Sequence, residues 1–168
     1  MPPSIVALLP LVLLALQTPD IHFVPTTGDI ADAMLRLARV GPDDVVYDLG
    51  SGEGAIVLRA AEKFGARGVG IEIDPALVKT AVERARRRGL SDRVRFVQGD
   101  LFKADISEAT VVTLYLSGSI NRRLAPKLMA ELKPGTRVVS QRFDMGPSWP
   151  PEAQASAGGR RIYLWTIR

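Results

Sequence analysis

Asp48-Leu49-Gly50-Ser51-Gly52-Glu53-Gly54 sets three glycines at alternate positions between an apolar run and a helical pattern. Without a Cβ, glycine lets the backbone turn sharply and come close to a ligand. A helix that begins just beyond aims its first amides at whatever sits in the turn. Glu72 closes the next apolar run, and a carboxylate there can accept hydrogen bonds from ribose hydroxyls. Asp100 follows the run after that, in Gln98-Gly99-Asp100-Leu101-Phe102. It can accept a bond from an adenine amino group, with Leu101 and Phe102 as apolar cover. Each feature also has a plainer explanation. The loop can be a tight strand-to-helix turn, and it satisfies G-x-G-x-x-A through Gly50, Gly52 and Ala55, a dinucleotide pattern. Glu72 can cap a helix, although Asp74 before Pro75 already fills that role. Asp100 can be a turn aspartate after glycine. Three such features at successive run ends are more specific than any one of them.

The elements that must position these residues alternate. Thr27 caps a predicted helix to about Val40, with Ile30, Ala33, Met34, Leu37 and Ala38 at helical spacing. Gly41-Pro42 stops it. Strands are predicted over Val45–Leu49, Gly68–Ile73, Val94–Gln98, Thr110–Leu116, Arg137–Gln141 and Ile162–Ile167. Helices are predicted over Ala55–Phe64, from Pro75 to about Arg88, and from about Ile120 to Leu132, with proline favoured at the first helical position. Residues 144–159 are rich in Pro, Gly, Ser and Ala and read as loop, which leaves the sixth strand of such a fold short or absent. Strand–helix alternation requires a parallel sheet with helices on both faces. Ligands of such sheets lie beyond the carboxyl ends of the strands, where strand order reverses.

Composition narrows the chemistry. The chain has 168 residues, enough for one domain, and no cysteine, which excludes disulfides and thiolate metal sites. A single histidine, His22, argues against a multi-histidine metal centre or a serine–histidine triad, and no metal site is expected. The formal charge of +4 permits an anionic partner without demanding one. Residues Ile5 to Leu16 are apolar throughout, interrupted by Pro10. That run is shorter than the ~20 residues of a spanning helix. A cleaved signal, a shallow membrane anchor and a misassigned start all remain open, so 1–22 is set apart from a domain at 23–168.

The run from Asp48 to Gly54 resembles the first motif of class I S-adenosylmethionine-dependent methyltransferases, with Glu72 and Asp100 where their ribose and adenine contacts lie. Phe23-Val24-Pro25-Thr26, Asp44 to Gly52, Glu108 to Thr113 and Leu132 to Ser140 are similar to a narrower group. It holds the small archaeal protein-lysine methyltransferases and the mitochondrial lysine methyltransferases of ATP synthase subunit c and the ADP/ATP translocase. The resemblance implies a doubly wound α/β fold: a mostly parallel sheet of six or seven strands, helices on both faces, and an antiparallel C-terminal strand. It implies S-adenosylmethionine as cofactor, held by Val24, Pro25, Thr26, Asp48, Gly50, Ser51, Gly52, Gly54, Glu72, Ile73, Asp100, Leu101 and Tyr115. It further implies a lysine-bearing protein substrate, membrane-bound or not, and a monomeric enzyme. The group usually carries Asp-Gly-Arg where this chain has Glu53-Gly54-Ala55, and Cys where it has Ser51. Glutamate keeps the acceptor, while one arginine contact is lost.

Other residues are weighed against plainer roles. Tyr115 and Ser117 end the fourth strand, where a methyl acceptor would approach, and Phe143 and Trp149 can wall the same channel. Each can instead pack in the core or cover it. Arg84, Arg86, Arg87 and Arg88 read as a solvated helix face and not as an RNA patch, because no aromatics interleave. Nucleic acid is therefore not the expected partner, although RNA or a small molecule stays an alternative acceptor. A nicotinamide-dependent oxidoreductase would need a further substrate domain. A non-catalytic, membrane-tethered module would not need the intact loop and both acids. Because the donor is kept inside cells, the apolar N-terminus predicts attachment to a membrane with the domain on the cytosolic side; an exported form is the alternative.

Overall fold

A computed structural model describes residues 26–168. The apolar run Ile5–Leu16, His22, Phe23, Val24 and Pro25 lie outside the described residues. No helix among those described is long and apolar enough to cross a membrane.

The elements in chain order are α1 (Gly28–Leu37), β1 (Val45–Leu49), α2 (Ala55–Phe64), β2 (Arg67–Glu72), α3 (Pro75–Arg87), β3 (Val94–Gln98), β4 (Val111–Leu114), α4 (Gly118–Glu131), β5 (Arg137–Gln141), β6 (Ala153–Ala157) and β7 (Arg160–Thr166). They build one seven-stranded sheet in the order β3-β2-β1-β4-β5-β7-β6. β1 through β5 run parallel, and β7 pairs antiparallel with β5 and with β6. Strand order reverses between β1 and β4, which puts the ligand crevice at the ends of those two strands.

The crossovers between parallel strands place the helices on both faces of the sheet. α1 and α2 bury Ile30, Met34, Leu35, Ile56 and Ala60 against Val46, Val111, Val139 and Ile162 on one face. α3 joins that face through Ala85, beside Val57, Leu58 and Val94. α4 covers the other face, where Ile120, Leu124 and Leu128 meet Tyr47, Leu49, Leu114 and Val138. All five residues of β1 are buried, as a strand between two layers requires. Asp32 of α1 is buried and accepts from Arg59 Nε of α2 at 2.5 Å, with Lys63 also paired to it, which pins α1 to its neighbour.

Some expectations are corrected. The stretch 144–159 is not all loop: Ala153–Ala157 forms β6 and returns through Gly158-Gly159 into β7. Its side chains, Ala-Gln-Ala-Ser-Ala, are too small for an apolar signal, yet they alternate half-buried and exposed as an edge strand does. Thr27 occupies the N-cap of α1, but its side chain makes no capping bond. α4 begins two residues earlier than predicted because Ser117 Oγ accepts from the Ile120 amide at 3.3 Å.

Candidate active site

Immediately after β1 the chain hooks onto β2. The amides of Gly50 and Ser51 both donate to the Ile71 carbonyl, at 2.8 and 3.0 Å. Gly50 and Gly54 have φ of 83° and 81°, a region that side chains disfavour. A Cβ at Gly50 would stand 2.8 Å from the Leu116 side chain, and one at Gly54 2.5 Å from the Phe96 ring. Gly54→Ala is therefore expected to cost about 1–3 kcal/mol of stability through left-handed strain and displacement of Phe96. Urea denaturation reads this directly, and an unchanged midpoint would show that the loop relaxes freely.

Glu72 braces the same loop. Its Oε2 accepts from the Gly52 amide at 2.8 Å, and its Oε1 accepts from the Ile73 and Asp74 amides at 2.8 and 3.0 Å. Three of about four lone-pair sites on the carboxylate are thereby used. One remains, so Glu72 has room for one strong ribose bond and not two. Ile73 beside it is 54% exposed, an apolar side chain on the crevice that a flat base can cover. The loop after β3 adjoins, with the Gly99 amide donating to the Glu72 carbonyl at 2.9 Å. Asp100 Oδ1 accepts from the Phe102 amide at 2.9 Å, so the turn role is real. Its second oxygen has no partner among the described residues, and Leu101 and Phe102 are partly buried next to it.

Asp48 lies at the base of the loop and is 4% exposed. Thr113 Oγ1 donates to its Oδ1 at 2.7 Å. Burial pushes the Asp48 carboxyl up to about 7; the Thr113 bond opposes this and the Glu72 charge adds to it. Ser51 does not present its hydroxyl to the crevice. That oxygen is buried without a partner among the described residues and packs on Gly70, where a Cβ would lie 2.5 Å away. Glu53 is ion-paired with Arg84 from α3, while Arg87 and Arg88 pair with Glu83 and Glu62. Three of the four arginines of the α3 run thus have carboxylate partners, in keeping with a solvated face.

The acceptor candidates separate. Tyr115 stands at the end of β4, and its hydroxyl accepts from Arg160 Nη1 of β7 at 2.8 Å. Gln141 ends the adjoining β5, is fully buried, and accepts at Oε1 from Thr26 Oγ1 at 3.3 Å. Its Nε2 has no partner among the described residues. Thr26, Tyr115, Gln141 and Arg160 thus meet at one end of the sheet beside the glycine loop. Phe143 lies nearby, against Gly118 at the start of α4. Ser117 is occupied as the cap of α4. Trp149 is elsewhere: its carbonyl accepts from Trp165 Nε1 at 2.9 Å, and Trp165 pairs with Val138 near the start of β5. It lines a cavity of about 440 Å³ with Met129, Glu152 and Arg168 at the opposite end of the sheet. Gln141 and Arg160 were not singled out from sequence. A glutamine ending an apolar strand is a signal that could have been read; nothing local marks Arg160.

A cradle that side chains would fill, a carboxylate with one open site, an aspartate with one open oxygen and an exposed isoleucine fit an adenosyl group. Comparison with known proteins agrees. The family model described as the ANTKMT methyltransferase domain matches residues 48–153. A protein-lysine N-methyltransferase of Saccharolobus islandicus (strain REY15A) is 44% identical over 153 residues, covering 89% of this chain and 95% of that protein. The adenine nucleotide translocase lysine N-methyltransferase of Mus musculus is 38% identical over 92% of this chain, which spans 65% of that longer protein. Among solved structures, an RNA methyltransferase from Salinibacter ruber in complex with S-adenosyl-L-homocysteine is 58% identical, with a TM-score of 0.84 over 86% of this chain and 94% of that one.

Proposed function

The chain belongs to the ANTKMT methyltransferase domain family and is an S-adenosylmethionine-dependent methyltransferase; on that premise we propose that its methyl acceptor is the side-chain amine of lysine in a protein substrate. The observation that carries this reading is the likeness to a protein-lysine N-methyltransferase over 95% of that protein's length. The acceptor cluster is in keeping with it: Tyr115 and Gln141 offer an aromatic ring and a buried amide, and no described carboxylate bonds to either.

When bound, S-adenosylmethionine supplies a methyl group already activated by its sulfonium. The chain's own work is positioning. Glu72 and the loop it braces would hold the sugar, Asp100 and Ile73 the base, and Thr26, Tyr115 and Gln141 would form the face toward the acceptor. Lysine reacts only as the neutral amine, and its free pKa is about 10.4. Transfer from water into the cluster around Tyr115 disfavours the ammonium and lowers that value. Among the described residues Tyr115 is bonded only to Arg160, which holds its own proton, so in this reading the amine gives its proton to water before transfer.

The Salinibacter likeness favours a second reading, in which RNA is the acceptor. Labelled methyl donor incubated with the protein and with separate protein and RNA fractions distinguishes them. The lysine reading expects acid-stable label on lysine, mapped by mass spectrometry. Label confined to RNA would refute it while leaving the methyltransferase assignment intact.

A further inference from the structure

Five arginines stand on segments that surround the ends of β4 and β5 and the start of β7. Arg122 and Arg123 lie in the first turns of α4, Arg142 just beyond β5, and Arg160 and Arg161 open β7. The backbone brings these segments together. The Arg142 amide donates to the Arg161 carbonyl at 2.7 Å. Arg122 lies between the start of α4 and the loop after β5, close to Gly118 and Gly146. Three of the five cover rings: Arg123 lies 4.4 Å over Phe102, Arg142 5.2 Å over Phe143 and Arg160 5.7 Å over Tyr115. None of the five is in an ion pair among the described residues. Seven other arginines have a carboxylate partner, and Arg39, Arg67, Arg86, Arg93 and Arg168 have none among the described residues either, so it is the gathering of five at one end of the sheet, and not the lack of pairing alone, that marks this rim. Among the described residues, Asp144 next to Phe143, Asp29 against Gly158, and Asp100, bonded to the amide of the Phe102 that Arg123 covers, put carboxylates near this rim. A guanidinium stacked on a ring still offers N–H donors at its edge.

We propose that this arginine rim receives an acidic segment of the protein substrate, so that the enzyme selects lysines flanked by aspartate and glutamate; the proposal rests on the lysine reading above. Fixed cations at the mouth steer carboxylates in and turn basic segments away. They also disfavour the ammonium form of the entering lysine, which must be neutral to react. An RNA strand is anionic as well, but single strands are held largely by bases stacking on open rings. Here Phe102, Tyr115 and Phe143 each already carry an arginine.

The test uses three peptides of equal length with one central lysine, flanked by acidic, neutral or basic residues, assayed with labelled donor at low and high salt. The acidic peptide is expected to exceed the neutral one about tenfold in kcat/KM and the basic one about 10²-fold, with the advantage shrinking as salt screens the rim. Arg142→Gln with Arg161→Gln is expected to raise KM for the acidic peptide several-fold while affinity for S-adenosylhomocysteine holds. Because Arg142 has a left-handed φ of 71°, the exposed Arg161→Glu is the second variant, expected to shift preference toward the basic peptide. Equal rates on all three peptides, or a best rate on the basic one, would overturn the rim proposal alone. Label in RNA with none in any peptide would overturn the lysine reading and the rim with it.

Discussion

Glu72→Ala is expected to weaken binding of S-adenosylmethionine and S-adenosylhomocysteine about 10²-fold. One charge-assisted bond to a ribose hydroxyl, worth at least ~1.5 kcal/mol, accounts for more than half of the ~2.7 kcal/mol this represents. The rest comes from the loop, because the same carboxylate accepts from the Gly52, Ile73 and Asp74 amides. Removing it frees three donors at the point where β2 meets the glycine turn. Glu72→Gln separates the two contributions: its single carbonyl oxygen cannot serve every donor, but the side chain still fills the space. It should fall between wild type and alanine. Calorimetric titration with S-adenosylhomocysteine measures all three proteins. An alanine variant that binds within about twofold of wild type would mean that the cradle holds its ligand without Glu72.

Raising the pH from 5 to 8 is expected to destabilise the ligand-free protein and to strengthen its hold on the cofactor, both through Asp48. Burial moves the Asp48 carboxyl up to about 7 from the ordinary value near 4. A group whose pKa rises on folding contributes stability below its unfolded pKa and loses that contribution as pH climbs through the folded one. The loss begins near pH 4 and is fully developed above pH 7; the part that falls between pH 5 and 8 is about 3 kcal/mol. Asp48→Asn can keep the bond from Thr113 and has no proton to lose, so its stability should be flat across this window. A cationic cofactor in the cradle that opens at Asp48 favours the ionised carboxylate, so binding should release a proton near pH 6. Calorimetry in two buffers of different ionisation enthalpy counts that proton. A wild-type stability that rises with pH from 5 to 8, or a slope that survives in Asp48→Asn, would exclude this carboxyl as the source.

The parallel core of the fold was legible because its signals are local and repeated. Five strands of the parallel block and four helices carry their own local signals, and Gly50 and Gly54 sit where a Cβ would run into Leu116 and Phe96. The proposed cofactor half of the site rests on equally local signals: Asp48 and Glu72 lie in the last two residues of β1 and β2, and Asp100 two residues beyond β3. β6 was missed because an edge strand of alanine, glutamine and serine buries too little to leave an apolar pattern, and the Gly158-Gly159 turn then reads as loop.

What the sequence by itself determined, then, is the order of the elements, the glycine turn and the acids at the strand ends, all of which follow from chain-local sterics and periodicity. Only the tertiary structure decided which long-range neighbours those groups meet. It turned the Ser51 hydroxyl inward onto Gly70, reserved most of Glu72 for the loop, and carried Trp149 away from the acceptor end to pack on Trp165. It also brought Arg160 onto Tyr115 across 45 positions of chain, and Thr26 onto Gln141 across 115. Such contacts depend on which strands the sheet places side by side, and no periodicity along the chain encodes that.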